Sequence, residues 1–339
     1  MKLNRLITPV EDASLQELAK KKVAELLSNP NLDIPRKFRE PNAKVALYNP
    51  KGDLLKANAL LLEGEDGAYD LANRLNDLDG KTWTKFTCSW FIFNALASDL
   101  KEEREFTKTT EDHPATYSPT MIESFINFFT KEGMTVFDPF CGIGSTLVAA
   151  NRSGRIGYGV ELNPKYYDIA INRVPNFKKN IFNDSAENIV NLNLPLQDFS
   201  ISSPPYWDVL NRSTKDFHSI REAKGLDKSY SDTVEDLGNV SDYEEFLDRL
   251  TKIYISIFSL LKEGAYVVII LKNVKKEGKL YPLAWDIARN LSNIYELKDE
   301  KIWIQDKIGL APYGYPYSWV SNILHHYCIV LQKKSQSNA

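Results

Sequence analysis

Cysteine is scarce in this chain of 339 residues: three in all, Cys88, Cys141 and Cys328, each far from the others. Such spacing offers no disulfide framework and no Cys-x-x-Cys zinc pair. Histidine is scarce too, with four. Two of them, His325 and His326, are adjacent, and neighbours on a strand point to opposite faces, which does not suit one metal. No metal centre is expected. No apolar run approaches the roughly 20 residues that span a bilayer, so no membrane association is expected. The amino end, Met1-Lys2-Leu3-Asn4-Arg5, lacks the apolar core of a signal peptide. A reducing, cytoplasmic setting follows as the expectation. An excess of positive charge is also absent, the net charge being −3. Nucleic-acid binding needs a local basic surface rather than a basic total. Lys20 to Lys22, Arg36 to Arg39, Lys272 to Lys279 and a scattered set from Arg212 to Lys228 are candidate patches. Each alone reads first as a solvated face.

What is present is ordinary globular material, 43% hydrophobic and 26% charged. The length allows one large domain, or one domain with an appendage. Residues 1–110 differ from the rest and read as a mostly helical extension, serving either recognition or packing. Ser14-x-x-Glu17 is a capping box before Leu15, Leu18, Val23 and Leu26, which predicts a helix over 14–28. A polar loop or arm follows over 29–45. Trp83, Phe86, Trp90, Phe91 and Phe93 then cluster, either as a packing surface or as a surface that touches substrate.

From about 113 strands and helices alternate. Strands are predicted near 135–139, 156–161, 180–183, 198–203, 265–271, 300–305 and 326–332. Helices are predicted near 118–131, 145–153, 164–173, 241–262 and 281–293, the fourth opened by Ser241-x-x-Glu244. This alternation indicates an α/β domain over 111–334, with a largely parallel sheet covered on both faces. The last two strands lack an intervening helix, which suits a terminal antiparallel hairpin. Residues 208–240 break the pattern, and an insertion that long in a compact domain is usually functional or disordered. A polar tail, 335–339, ends the chain.

Two short motifs stand out. Phe137-Asp138-Pro139-Phe140-Cys141-Gly142-Ile143-Gly144-Ser145-Thr146 places a glycine turn after a strand. In open α/β sheets ligands bind at the carboxyl ends of the strands, and glycine there lets backbone approach a ligand. Glu161 ends the next strand, where it either accepts from a ribose diol or caps a helix. Asp184 ends the third, where it either accepts from an adenine amino group or caps a helix. The second motif is Ser203-Pro204-Pro205-Tyr206-Trp207, which can grip a planar base by its amino group.

Together these motifs resemble the DNA amino-methyltransferases, which methylate an exocyclic amino nitrogen with S-adenosylmethionine. Asp138 to Ser145 looks like their first motif, and Gly159 to Tyr167 is similar to their second. His113-Pro114-Ala115-Thr116-Tyr117-Ser118-Pro119 looks like the segment that closes over the methionine end of the cofactor. The resemblance runs from about 113 to 332. It implies a Rossmann-like, seven-stranded class I methyltransferase sheet. It also implies cofactor contacts at His113, Thr116, Asp138, Phe140, Gly142, Gly144, Glu161 and Asp184.

Catalysis falls by the same resemblance to Ser203, Pro204, Pro205 and Tyr206. An exocyclic amine is a poor nucleophile, because its lone pair is delocalised into the ring. The Ser203 side chain and the Pro204 carbonyl can accept its two N–H groups, and consecutive prolines stiffen the turn. Tyr206 offers a stacking face, worth about 1–3 kcal/mol per base, and Trp207 can extend it. Arg212 and Lys215 are candidate DNA contacts. Transfer is direct, and the chain contains no Pro-Cys pair of the kind cytosine carbon-5 methylation uses. A target base within a duplex must first be rotated out.

Serine at the first motif position is typical of cytosine-N4 relatives, and aspartate or asparagine of adenine-N6 relatives. Cytosine N4 is the reading adopted, with adenine N6 beside it. An RNA base methyltransferase and a non-catalytic DNA-binding subunit are the further alternatives. Here the cofactor motifs precede Ser-Pro-Pro-Tyr. Many cytosine-type relatives have the reverse order, so the chain looks circularly permuted. Recognition then falls to residues 1–110, the 208–240 insertion and the loop Tyr313 to Trp319. The expected partners are double-stranded DNA and a cognate restriction or defence nuclease.

Overall fold

The structure is a computed structural model. It describes residues 21, 44–47, 60–63, 68–70, 73–93, 117–207, 235–305 and 309–334, with 44–47, 60–63 and 68 as backbone only. The chain divides into two units, one of 1–88 with 127–132 and one of 89–126 with 133–339. The expected boundary near 110 therefore falls inside the second unit.

In the first unit, β1 (Lys44–Leu47), β2 (Leu60–Glu63) and β3 (Ala68–Asp70) form a small antiparallel sheet. Helix α1 (Gly80–Phe86) follows, with Asp79 capping it by accepting from the Thr82 N–H. The extension was expected to be mostly helical, yet its described residues are richer in strand. The predicted helix over 14–28 lies outside the described residues except Lys21, which is helical. Phe86 stacks on Phe128 at 4.1 Å, and Trp83 meets the same ring at 4.9 Å. Packing is thus what these two aromatic residues do.

The second unit contains, in chain order, β4 (Trp90–Ile92), α2 (Pro119–Phe129, whose last three residues count with the first unit), β5 (Thr135–Asp138), α3 (Ser145–Arg152) and β6 (Ile156–Glu161). Next come α4 (Pro164–Arg173), β7 (Ile181–Asn183), β8 (Gln197–Ser202), α5 (Tyr243–Leu260) and β9 (Leu261–Leu271). A hairpin of β10 (Val274–Lys276) and β11 (Lys279–Tyr281), then α6 (Leu283–Leu291), β12 (Tyr295–Ile304) and β13 (His325–Lys333), complete it. Eight strands form one sheet in the order β4-β12-β13-β9-β8-β5-β6-β7. Neighbours are parallel except around β13, which is antiparallel to both β9 and β12. The expected seven strands and terminal hairpin are all there. β4 adds an eighth at the edge, parallel to β12.

The patterns behind these elements are simple. Residues 267–271 of β9 are all fully buried, as a central strand covered on both faces requires. Helix α5 buries Phe246, Leu247, Leu250, Ile253, Tyr254 and Ile257, a single stripe at helical spacing. Its cap is Asp242, which accepts from the Glu245 N–H at 2.8 Å, one residue later than the predicted Ser241 box. No described helix is long and apolar enough to cross a membrane.

Candidate active site

The chain order crosses over between β8 and β5, which are hydrogen-bonded neighbours. Their carboxyl ends therefore lie side by side, and such a switch point is where open α/β sheets bind ligands. A cavity of about 940 Å³ opens there, lined by Phe140 to Ile143, Glu161 to Asn163, Ser185 to Glu187, Ser203 to Tyr206 and Glu235 to Leu237. The two motifs thus share one pocket.

The turn after β5 is built on a buried carboxylate. Asp138 is fully buried and accepts from the Phe140 N–H at 2.9 Å, the Tyr117 hydroxyl at 2.9 Å and the Thr146 hydroxyl. Burial pushes its carboxyl up to about 6 against the pull of these donors. Asp138 lies behind the pocket wall and shapes it, while Tyr117 lines the pocket itself. Gly142 and Gly144 are left-handed, with φ of 52° and 86°. Gly142 lines the pocket. Gly144 does not. A Cβ on Gly144 would lie 3.1 Å from the Ala170 Cβ, so the close approach of α3 to α4 is what demands glycine there.

Glu161 sits at the end of β6 as expected. Its two oxygens accept from the Gly142 N–H at 2.8 Å and the Asn163 N–H at 2.7 Å. Each oxygen keeps a lone pair for a ligand hydroxyl. Burial pushes this carboxyl up to about 7, against the pull of both N–H donors. Asp184 behaves differently from its expected role. Its Oδ1 accepts from the Ser185 N–H at 2.7 Å and the Asn188 side chain at 2.9 Å. It closes a local turn, and Ser185 to Glu187 line the pocket in its place. That wall is clamped by Arg249, whose guanidinium meets both Glu187 oxygens at 2.7 and 3.1 Å and the Glu235 carbonyl at 3.2 Å.

At the end of β8, Ser202 hydrogen-bonds the Tyr254 hydroxyl of α5 at 2.7 Å and anchors the strand just before the Ser-Pro-Pro-Tyr turn. The Ser203 and Tyr206 hydroxyls are 2.8 Å apart. Pro204 is buried and Pro205 half-buried, both in the pocket wall. Trp207 does not extend a stacking platform. It is 3% exposed, packed against Tyr243 at 5.1 Å and Tyr281 at 4.7 Å, with the Lys276 ammonium 4.6 Å above its ring. His113, Thr116, Arg212 and Lys215 lie outside the described residues. His326 is buried, stacks on Trp303 at 4.2 Å and meets the Tyr206 ring at 5.9 Å. Burial and nearby Lys272 push its imidazole well below the usual histidine range, so it packs as a neutral ring.

Sequence reasoning missed Tyr117 and Asp236. Tyr117 lies within a segment already singled out, but nothing local shows its hydroxyl reaching Asp138. Asp236 lines the pocket and holds a turn through the Gly238 N–H at 2.8 Å. It lies near the end of the long polar insertion and carries no motif.

Residues 27–172 match a family model described as DNA methylase. That match supports the resemblance of the chain to the DNA amino-methyltransferases. The matched stretch contains the glycine turn and Glu161 and ends before the Ser-Pro-Pro-Tyr turn. Type II methyltransferase M.Cfr9I of Citrobacter freundii is 39% identical over 74 residues, 22% of this chain and 25% of that protein. Type II methyltransferase M.HindIII of Haemophilus influenzae is 40% identical over 77 residues, 22% of this chain and 25% of that one. Orphan methyltransferase M.BamHII of Bacillus amyloliquefaciens is 37% identical over 130 residues, 38% of this chain and 45% of that one. The chain thus spans from a quarter to less than half of the length of these relatives. Among solved structures, TrmN from Thermus thermophilus aligns at 15% identity with a TM-score of 0.44, over 68% of this chain and 52% of that one.

Proposed function

We propose that this protein transfers a methyl group from S-adenosylmethionine to the exocyclic amino nitrogen of a base flipped out of double-stranded DNA, with cytosine N4 as the target. The observation that carries the reading is the single pocket at the β5/β8 switch point, which the glycine turn, Glu161 and the Ser-Pro-Pro-Tyr turn all line.

The pocket fits this cofactor. A carboxylate with two spare lone pairs suits the ribose diol, and Gly142 offers bare backbone for the methionine end. Phe140, Val160 and Leu237 supply an apolar wall. When bound, the cofactor supplies an electrophilic methyl on a cationic sulfur.

The remaining work belongs to the chain. The Ser203 and Tyr206 hydroxyls share one hydrogen bond in which either can donate, and with Ser203 as the donor its Oγ lone pairs are left for one N–H of the amine. The Pro204 carbonyl accepts the other. Holding both N–H groups pulls the nitrogen toward pyramidal geometry and frees its lone pair to attack the methyl carbon. The cofactor would leave as a neutral thioether, and the extra proton on nitrogen would pass to water. No cysteine takes part: burial pushes the Cys141 thiol in the pocket wall well up, so it stays protonated. Serine at the first position of the turn, as in cytosine-N4 relatives, supports cytosine over adenine. The type II names of two relatives support a role beside a cognate restriction or defence nuclease.

The test is methyl transfer from labelled S-adenosylmethionine to duplex DNA and, in parallel, to tRNA, followed by mass spectrometry of the digested product. N4-methylcytosine from DNA is expected. N6-methyladenine would replace the target base, transfer to tRNA alone would replace the substrate, and cofactor binding with no transfer would leave a non-catalytic subunit.

A further inference from the structure

Residues 309–324 leave β12 at the carboxyl edge of the sheet and return into β13. Five large apolar side chains point outward from this loop: Leu310 at 73% exposure, Tyr313 at 59%, Tyr315 at 81%, Tyr317 at 94% and Trp319 at 87%. A loop that displays aromatic rings to water without a partner needs explaining. It is also well built. Asn322 exchanges two 3.0 Å hydrogen bonds with the Ala311 backbone. The Gly314 carbonyl accepts from the Tyr317 and Ser318 N–H groups at 2.7 and 2.8 Å. The Lys275 ammonium ties Ser321 to the sheet through its carbonyl and its hydroxyl.

We propose that this loop is the finger by which the protein holds duplex DNA, with Tyr317 and Trp319 stacking on bases left unpaired when the target is flipped. The proposal rests on the DNA reading above and names the surface that serves it.

Placement comes first. β12 and β8 run parallel in one sheet, separated by β13 and β9. Three strand spacings put their carboxyl ends roughly 14 Å apart, within the reach of one DNA duplex. A row of rings joins them, from Tyr206 of the catalytic turn to His326 and then to Trp303 of β12.

Charge selects the occupant. Residues 309–324 contain no charged side chain, while 272–279 contain four lysines and one glutamate. Lys275 touches the loop, and Lys276 lies over Trp207, the residue after the catalytic turn. Positive charge therefore lies between the two, where it draws a phosphate backbone. Aromatic faces stack on any base, with no need for sequence. Flipping a base leaves an unpaired partner and a gap, and an inserted ring suits both.

The experiment compares wild type with Tyr317→Ala/Trp319→Ala and Tyr317→Phe/Trp319→Phe. The probes are a short mixed-sequence duplex, intact or carrying one abasic position. Wild type should prefer the abasic duplex. The alanine pair should bind it about ten- to a hundredfold more weakly and lose the preference, while the phenylalanine pair, which keeps the rings, should retain most of both. Melting temperature and S-adenosylmethionine affinity should not move. Equal DNA binding by wild type and the alanine pair overturns the finger. So does a change in solution mass from dimer to monomer in the alanine pair, which would make the loop a self-association surface. If wild type itself binds no DNA while binding cofactor, the DNA reading fails first, and the two failures are told apart.

Discussion

In the proposed mechanism Ser203 is the side-chain acceptor for the amine. Ser203→Ala removes one acceptor for the amine and leaves an N–H unpaired in a closed pocket, at a cost of about 1–3 kcal/mol. The single-turnover rate should fall roughly ten- to a hundredfold, with cofactor affinity and melting temperature unchanged. Tyr206→Phe tests the 2.8 Å hydroxyl pair separately from stacking: it should slow transfer while base binding survives. Glu161 makes a different, pH-dependent contribution. Burial pushes its carboxyl up to about 7 in the folded chain, against an ordinary 4.5 for glutamate, so between these values the folded state keeps a proton that the unfolded state has lost. The stability this adds is present below pH 4.5 and lost as pH rises through 7. The melting temperature of the wild type should therefore decline from pH 5 to pH 8 more steeply than that of Glu161→Gln; parallel profiles would remove the assignment. At this scale the sequence showed which strand ends matter, but not always which way a side chain turns. Glu161 and Asp184 both end strands, yet only the first faces the pocket, because a local turn to Asn188 claims the second. Trp207 was read as a platform, but the aromatic partners that bury it, Tyr243 and Tyr281, come from distant sequence.

At the scale of elements, the turn between β5 and α3 does two jobs with its two glycines. Gly144→Ala forces a left-handed φ on alanine, about 1–2 kcal/mol, and pushes a methyl group against Ala170, with overpacking adding roughly 1–3 kcal/mol. Urea unfolding should show that loss, while the fraction that remains folded binds cofactor normally. Gly142→Ala also forces a left-handed φ on alanine, and its Cβ lies in a pocket-lining residue, so calorimetry should show weakened S-adenosylmethionine binding. The reverse pattern would exchange the roles of the two positions. Most elements were legible because their periodicity is clean: α4 spans 164–173 as predicted, and β6 spans 156–161. β12 was expected only from 300, but it begins at Tyr295. Residues 296–300 are charged or exposed, with a bulge between Leu297 and Asp299, so no apolar alternation marks them. β4 was read as part of an aromatic cluster, because three residues are too few for a pattern and only pairing with β12 makes them a strand.

For the whole molecule, motif order in the chain matters less than strand order in the sheet. β5 and β8 are neighbours with both carboxyl ends on one edge, so either motif can come first and the pocket is the same. That is why a chain that looks permuted against its relatives still assembles one site. The same topology bears on the segment 208–234, which holds Arg212 and Lys215 and lies outside the described residues. Its flanks are both fixed to the second unit. Trp207 packs on Tyr243, the first residue of α5, and Glu235 and Asp236 line the pocket beside Tyr206. A short glycine-serine linker should therefore replace the segment at little cost, because loop-closure entropy varies only slowly with length. Replacing 208–234 in this way should preserve the melting temperature and S-adenosylmethionine binding, since neither the glycine turn nor Glu161 depends on the segment. Site-selective methylation of plasmid DNA, read by sequencing that detects modified bases, should disappear. Modification of the same sites at the same rate would instead assign sequence reading to the first unit or to the aromatic loop.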